Sequence, residues 1–239
     1  MSSPNVRVFE TPRELIEATA ETFAQEATRS IREKGRFAVA LAGGSTPKAL
    51  YELLATGYRD ALDWSRVHAF FGDERCVPPD HEDSNYRMAW EALLSRVPVG
   101  SVHRMRGELS PPEAAALYEE EELAAFFGDR PDFDLVLLGI GEDGHTASLF
   151  PRTPALDVRD RWAVENPVEK LGTTRLTLTV PAINGAREVV FLVTGEGKAE
   201  ALKEILEGEA DPRDYPAKLV RPASAPAWMV DREAASLLY

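Results

Sequence analysis

Five short runs, Phe37 to Ala42, Val67 to Phe71, Leu135 to Ile140, Leu176 to Val180 and Val189 to Val193, each stop at glycine, proline or polar residues, and they limit what this chain can become. Runs of this length suit strands, and near-continuous apolar character suits strands covered on both faces. The segments between them read as helices. Thr11-Pro12-Arg13-Glu14 has the form of a helix start, with Thr11 as N-cap, Pro12 in the first turn and Glu14 completing a capping box. Ile16, Ala20, Phe23, Ala27 and Ile31 then recur at three- and four-residue spacing, and Gly35 closes the segment. Further helices are expected from Pro47, over Ser84 to Ser95, over Pro112 to Phe127 before Gly128, and over Lys198 to Glu207 before Gly208. Strands alternating with helices imply an α/β fold, a mostly parallel sheet with helices on both faces, here expected as one domain over residues 1–239. Ligands in such sheets bind beyond the carboxyl ends of the strands.

Composition narrows the setting. No apolar run approaches the roughly 18 residues of a membrane span, and MSSPNVRVFE lacks the basic and apolar regions of a signal peptide, so a cytoplasmic protein is expected. The one cysteine, Cys76, agrees with a reducing compartment and reads as a small inert side chain. A net charge of −13 argues against nucleic acid or an anionic membrane as partner. A phosphorylated small molecule would need local cations to overcome that field.

Three strand ends carry polar residues suited to chemistry. Leu41-Ala42-Gly43-Gly44-Ser45-Thr46-Pro47 joins a strand to a helix through glycines, so helix N–H groups and the Ser45 or Thr46 hydroxyl could receive an anion. The same residues also suit a tight turn with nothing bound, and both readings stay open. It is not a Walker A loop. Gly72-Asp73-Glu74-Arg75 offers carboxylates and a guanidinium at a second strand end, or a surface loop held by ion pairs. Gly195-Glu196-Gly197-Lys198 places Lys198 at a helix start, over a bound anion or in solvent, and Arg175 is a weaker anion candidate.

The densest stretch is DLVLLGIGEDGHTASLF, Asp134 to Phe150. Gly139, Gly141 and Gly144 satisfy G-x-G-x-x-G, and Glu165 lies near the spacing of a ribose carboxylate, but Pro151 and Pro154 cut short the helix that a dinucleotide site needs. No nucleotide site is expected. What remains is a tight loop presenting Asp143 with His145, where a neutral imidazole can take a proton from water while the carboxylate orients it. His68, His81 and His103 have no comparable frame, and the four histidines show no metal-ligand spacing, so neither metal nor cofactor is expected. With no G-x-S-x-G elbow, water is the expected nucleophile.

Taken in order, AGGSTP, FFGDER, SNYRMAW, LLGIGEDGHTASLFP, RLTLT with Pro181 and Asn184 following, VTGEGKAEAL and LVRP resemble the 6-phosphogluconolactonases, from about Phe37 to the end of the chain. That resemblance implies a Rossmann-like fold without nucleotide, shared with glucosamine-6-phosphate deaminases. It implies 6-phospho-D-glucono-1,5-lactone as substrate and 6-phosphogluconate as product. Carried over by position, Gly44, Ser45, Arg75 and Lys198 resemble a phosphate cradle, His145 the general base, and Asp73 and Asp143 its supporting carboxylates. The nearest rival is the deaminase, which carries a glutamate five residues after the histidine, where this chain has Phe150, and an aromatic residue in place of Arg75. A non-catalytic sugar-phosphate sensor is the second rival. The expected state is a monomer, with a dimer as the alternative.

Overall fold

The computed structural model describes residues 5–238. Strand β1 (Asn5–Phe9) leads into helix α1 (Pro12–Lys34), which starts and stops where its sequence signals lie. Thr11 Oγ1 accepts the Glu14 N–H at 3.2 Å, and Gly35 turns left-handed at φ 76°. The capping box closes one residue early, because the Glu14 carboxylate accepts from the N–H of Glu10. Leu15, Thr19, Ala20, Phe23 and Ala27 form the buried face, with Ile16 and Ile31 at its margins.

The remaining elements are β2 (Phe37–Leu41), α2 (Ser45–Gly57), β3 (Val67–Phe71), β4 (Asp73–Arg75), α3 (Asn85–Ala89), β5 (Ser101–Val102), α4 (Pro111–Leu117), α5 (Ala125–Phe127) and β6 (Leu135–Leu138). They continue through β7 (Ala163–Val168), β8 (Thr173–Leu178), α6 (Val180–Asn184), β9 (Glu188–Val193), α7 (Ala199–Glu207) and β10 (Ala227–Asp231). Seven strands form one sheet in the order β1-β10-β9-β6-β2-β3-β5, and every pairing in it is parallel. Alternate residues feed two cores. Phe37, Val39 and Leu41 pack with Leu135, Leu137 and the α1 and α2 side chains on one face, while Ala38, Ala40, Val136 and Leu138 pack with Tyr118, Phe133 and Leu202 on the other. Both faces are therefore dry, which is why the strands read as continuous apolar runs.

One expected strand belongs elsewhere. Leu176 to Val180 does not join the parallel sheet: Thr173–Leu178 is the central strand of a second, antiparallel sheet in the order β4-β8-β7, and Val180 already begins α6. The Thr179 hydroxyl accepts from the N–H of Ala182 and starts that helix before Pro181, so the apolar run is divided between two elements. Two expected helices carry wide turns, with π-helical geometry over Trp90–Leu94 and Tyr118–Ala124. Gly72 joins the sheets, its N–H donating to Leu41 O at 2.9 Å and its C=O accepting from Leu178 N–H at 2.8 Å.

Strand β2 lies between β3 and β6. From β2 the chain runs outward to β3 and β5, then returns to β6 on the opposite side. The loops leaving β2 and β6 therefore diverge and open a crevice at the carboxyl ends, the switch point where open α/β sheets bind ligands.

Candidate active site

That crevice is a cleft of about 230 Å³ lined by Gly43 and Gly44 after β2, Asp73 and Arg75 on β4, Gly139 to Gly141 after β6, His145, and Lys198 before α7. It continues outward into a wider space of about 510 Å³ bordered by Asp143, Phe150, Lys170 and Arg175. Five separate stretches of sequence, the fifth being Asn85 at the start of α3, thus converge on one place. Ser45 lies in the first turn of α2 but is exposed, outside the lining of the cleft.

The loop after β6 is shaped for its histidine. No α-helix follows Gly144, only turns and the short 3-10 turn Pro154–Asp157, as the prolines require and as a dinucleotide site forbids. Gly144 at φ 73° and Ala147 at φ 48° fold the chain tightly, and Gly141 N–H donates to His145 O at 2.8 Å. His145 Nδ1 lies 2.5 Å from Asp143 Oδ1, and its ring stacks on Phe150 with centroids 4.2 Å apart. A carboxylate at Nδ1 makes that nitrogen the donor in a neutral ring, so Nε2 carries the free lone pair. Nε2 has no hydrogen-bond partner among the described residues. Burial pulls the imidazole down to about 4, Lys198 and Arg175 act the same way, and Asp73 opposes them. The ring is therefore a neutral acceptor at physiological pH.

The acidic and basic residues of Gly72-Asp73-Glu74-Arg75 divide by strand alternation. Asp73 and Arg75 border the cleft. Glu74 points the other way and is buried, accepting N–H bonds from Arg75, Asn85 and Tyr86 at 2.7 to 2.8 Å and the Ser84 hydroxyl at 3.0 Å. It fixes the start of α3, and burial raises its carboxyl above the usual range against those N–H bonds. Arg75 stands directly opposite Arg175 across the β4–β8 ladder. Burial, and then Arg75, lower the Arg175 guanidinium from its ordinary value. Among the described residues none of Arg75, Arg175 and Lys198 forms an ion pair, in a chain of net charge −13. Cations left facing one another without ion-pair partners suit an incoming anion.

Two further pieces complete that anion site. Gly44, at φ 103°, caps α2 without a side-chain hydrogen bond, so the first-turn N–H groups have no side-chain partner from the cap. Thr46 and Thr194 share a hydroxyl hydrogen bond of 2.7 Å, tying α2 to the β9 end from which Lys198 follows. Asp231, buried at the end of β10, accepts the N–H of Gly195 on both oxygens at 3.1 Å and holds this turn in place.

Lys170 is a residue that sequence reasoning missed. It sits at the tip of the β7–β8 hairpin and pairs with the second oxygen of Asp143, so Asp143 is shared between a lysine and the histidine. The signal was weak, because Pro167 and Asn166 hide the character of β7. The other histidines lie outside the cleft: His68 and His103 both bond to Ser101, and His103 to Glu122, each at 2.7 Å. The Cys76 thiol is half-buried and burial raises its pKa, which suits an inert side chain. No group of three or more metal-ligating side chains occurs among the described residues.

Residues 10–229 match the family model described as glucosamine-6-phosphate isomerases/6-phosphogluconolactonase. This chain belongs to that family. A 6-phosphogluconolactonase of Synechocystis sp. is 48% identical over 238 residues, 97% of each chain. Among solved structures, a 6-phosphogluconolactonase from Trypanosoma cruzi superposes with a TM-score of 0.89 at 32% identity, over 100% of this chain and 98% of that one. A monomeric glucosamine-6-phosphate deaminase shares the fold at a TM-score of 0.80 and 25% identity, over 98% and 99% of the two chains. Both branches of the family therefore use this architecture, and the side chains at the cleft must distinguish them.

Proposed function

We propose that this protein hydrolyses 6-phospho-D-glucono-1,5-lactone to 6-phosphogluconate, the lactone step of the oxidative pentose phosphate pathway, with residues 1–239 acting as one cytoplasmic catalytic domain and as a monomer. The observation that carries the reading is a neutral His145 with Nδ1 held by Asp143 and Nε2 open in a cation-lined cleft. The names of the relatives support the same substrate. No helix among the described residues is long and apolar enough to cross a membrane, in keeping with a soluble substrate.

The phosphate dianion takes the N-terminus of α2 at Gly44 and Ser45, with Lys198, Arg75 and Arg175 as cationic partners. Water attacks the lactone carbonyl carbon as His145 Nε2 removes its proton. The tetrahedral oxyanion is stabilised by cations and backbone N–H groups of the cleft. Collapse breaks the bond to the ring oxygen, which takes the proton back from the imidazolium, giving a carboxylic acid that ionises. Asp143 and Asp73 favour the imidazolium between the two transfers. Ester hydrolysis changes no oxidation state and needs no electron or group carrier. General-base action contributes roughly 10²–10⁴-fold, and positioning supplies the rest.

Phe150 favours hydrolysis over deamination. It presents an apolar ring to His145, where a proton relay for sugar-ring opening would need a titratable group. His145→Asn tests the reading: it keeps the size of the side chain but cannot accept a proton, so turnover should fall by at least about 10²-fold while 6-phosphogluconate still binds. Wild-type-like turnover by this variant would remove His145 from the mechanism. Ammonia release from glucosamine 6-phosphate by the wild-type protein would assign it to the deaminase branch.

A further inference from the structure

Two buried side chains grip Asp73, and neither has a role in the reaction described above. Ser148 Oγ donates to Asp73 Oδ2 at 2.6 Å. Asn85 Nδ2 donates to Asp73 Oδ1 at 3.2 Å and to the Asp73 backbone oxygen at 2.9 Å. Both residues are buried, at 1% and 2% relative exposure. Their own backbones are anchored in turn. Asn166 Nδ2 donates to Ser148 O at 2.8 Å, Ser148 N–H donates to Thr177 Oγ1 at 3.2 Å, and Asn85 N–H donates to buried Glu74 at 2.7 Å. Asn85 also occupies the space that a side chain at position 43 would need, since a Cβ on Gly43 would lie 2.0 Å from Asn85 Oδ1. Ala147, between His145 and Ser148, adopts a left-handed conformation that a non-glycine residue adopts at some cost. That kink lets one short loop present His145 to the cleft and Ser148 to Asp73.

We propose that Ser148 and Asn85 are positioning residues that hold the Asp73 carboxylate aimed at the imidazolium formed on His145 during lactone hydrolysis. The inference rests on the general-base reading of His145. The charged groups that share the cleft with that ring are Glu142 and Asp143 on its own loop, Asp73 and Arg75 on β4, Arg175 on β8 and Lys198 after β9, with Lys170 acting through Asp143. Asp73 is the carboxylate among them that belongs to another element, so its orientation depends on its hydrogen-bond donors. Without Ser148, Oδ2 loses a charge-assisted bond and the carboxylate is free to turn toward Arg75 and Arg175. Support for the imidazolium then falls, and the histidine titrates at lower pH.

The test is Ser148→Ala, nearly isosteric, and Asn85→Ala, which removes the opposite contact, each made in the wild-type and Asp73→Asn backgrounds. On 6-phosphogluconolactone each should lower kcat by about tenfold with KM within about twofold, the loss expected for a hydrogen bond to a charged group. The acid limb of the kcat/KM profile should move to lower pH. In the Asp73→Asn background neither change should cost more than about twofold, because the group through which they act is already neutral. Wild-type kcat with an unmoved limb in Ser148→Ala would overturn the proposal. So would a tenfold loss that persists in the Asp73→Asn background, since that marks a structural role. Should one variant fail to fold, the other decides by the same criteria. Absence of lactone hydrolysis by the wild-type protein is a different result and bears on the proposed function.

Discussion

Gly141→Ala is a steric probe of the histidine. A Cβ on Gly141 would lie 2.0 Å from His145 Nδ1, 2.2 Å from Cε1 and 2.7 Å from Asp143 Oδ1, whereas ordinary contact begins at 3.4 Å. The ring must therefore retreat by about 1.4 Å, or the Asp143 contact must open. Gly141 does not have a left-handed φ, so alanine is not strained there and the damage stays with its neighbours. Displacing a catalytic group by about 1 Å costs on the order of 10²-fold in rate. The variant should lose about that much kcat, with a smaller change in KM, because the three atoms nearest the new Cβ belong to His145 and Asp143, not to Lys198 or the α2 N-terminus proposed to hold the phosphate. Initial rates of lactone disappearance, with spontaneous opening subtracted, measure the loss, and a thermal melt establishes that the protein is folded. A folded variant with wild-type kcat would refute the claim that the Asp143–His145 geometry drives the reaction.

Lys198→Ala should lower kcat/KM for 6-phosphogluconolactone by at least about tenfold and leave gluconolactone hydrolysis nearly unchanged, since only the former offers a phosphate to lose. Equal fractional losses on the two lactones would place Lys198 at the carbonyl instead. On the proposed general-base role of His145 the neutral imidazole is the active form, and burial lowers its pKa, so enzyme-catalysed hydrolysis should persist as pH falls through 6.5 and decline only toward about 4. An acid limb at or above the ordinary histidine value, in a kcat/KM profile corrected for spontaneous opening, would contradict the burial of this ring.

Strands β2, β3, β6 and β9 of the parallel sheet were legible because they are buried on both faces, and such strands leave a short, near-continuous apolar run. Other strands lacked that signal for identifiable reasons. β1 lies at an edge with no buried residue, β5 has two residues, β7 contains Pro167 and a buried asparagine, and β10, though buried, offers only the short run Ala227 to Val230 before Asp231. β8 was seen as a strand but assigned to the wrong sheet, because Leu176 and Leu178 are as fully buried as any strand of the main core. Hydrophobicity records burial and says nothing of partner. What assigned β8 was its antiparallel ladder with β4 and β7, a long-range fact set by Gly72 bonding to both sheets.

The same small sheet explains why the site was only partly legible. Asp73, Glu74 and Arg75 are three consecutive ionisable residues, and in a loop all three would be equal candidates. As strand β4 they cannot be equal, because successive side chains point to opposite faces. One face receives Asp73 and Arg75 together with Arg175 and Thr177 from β8, while the opposite face takes Glu74 beside Leu176 into the protein. Once the pairing with β8 exists, the cleft gains its carboxylate and its paired guanidinia in a single step, and Glu74 becomes the anchor that seats Asn85 against Asp73. Sequence spacing contained the period of two but not the partner strand. The local motif around His145, whose partner Asp143 lies two residues away, needed no such partner and could be read from the chain alone.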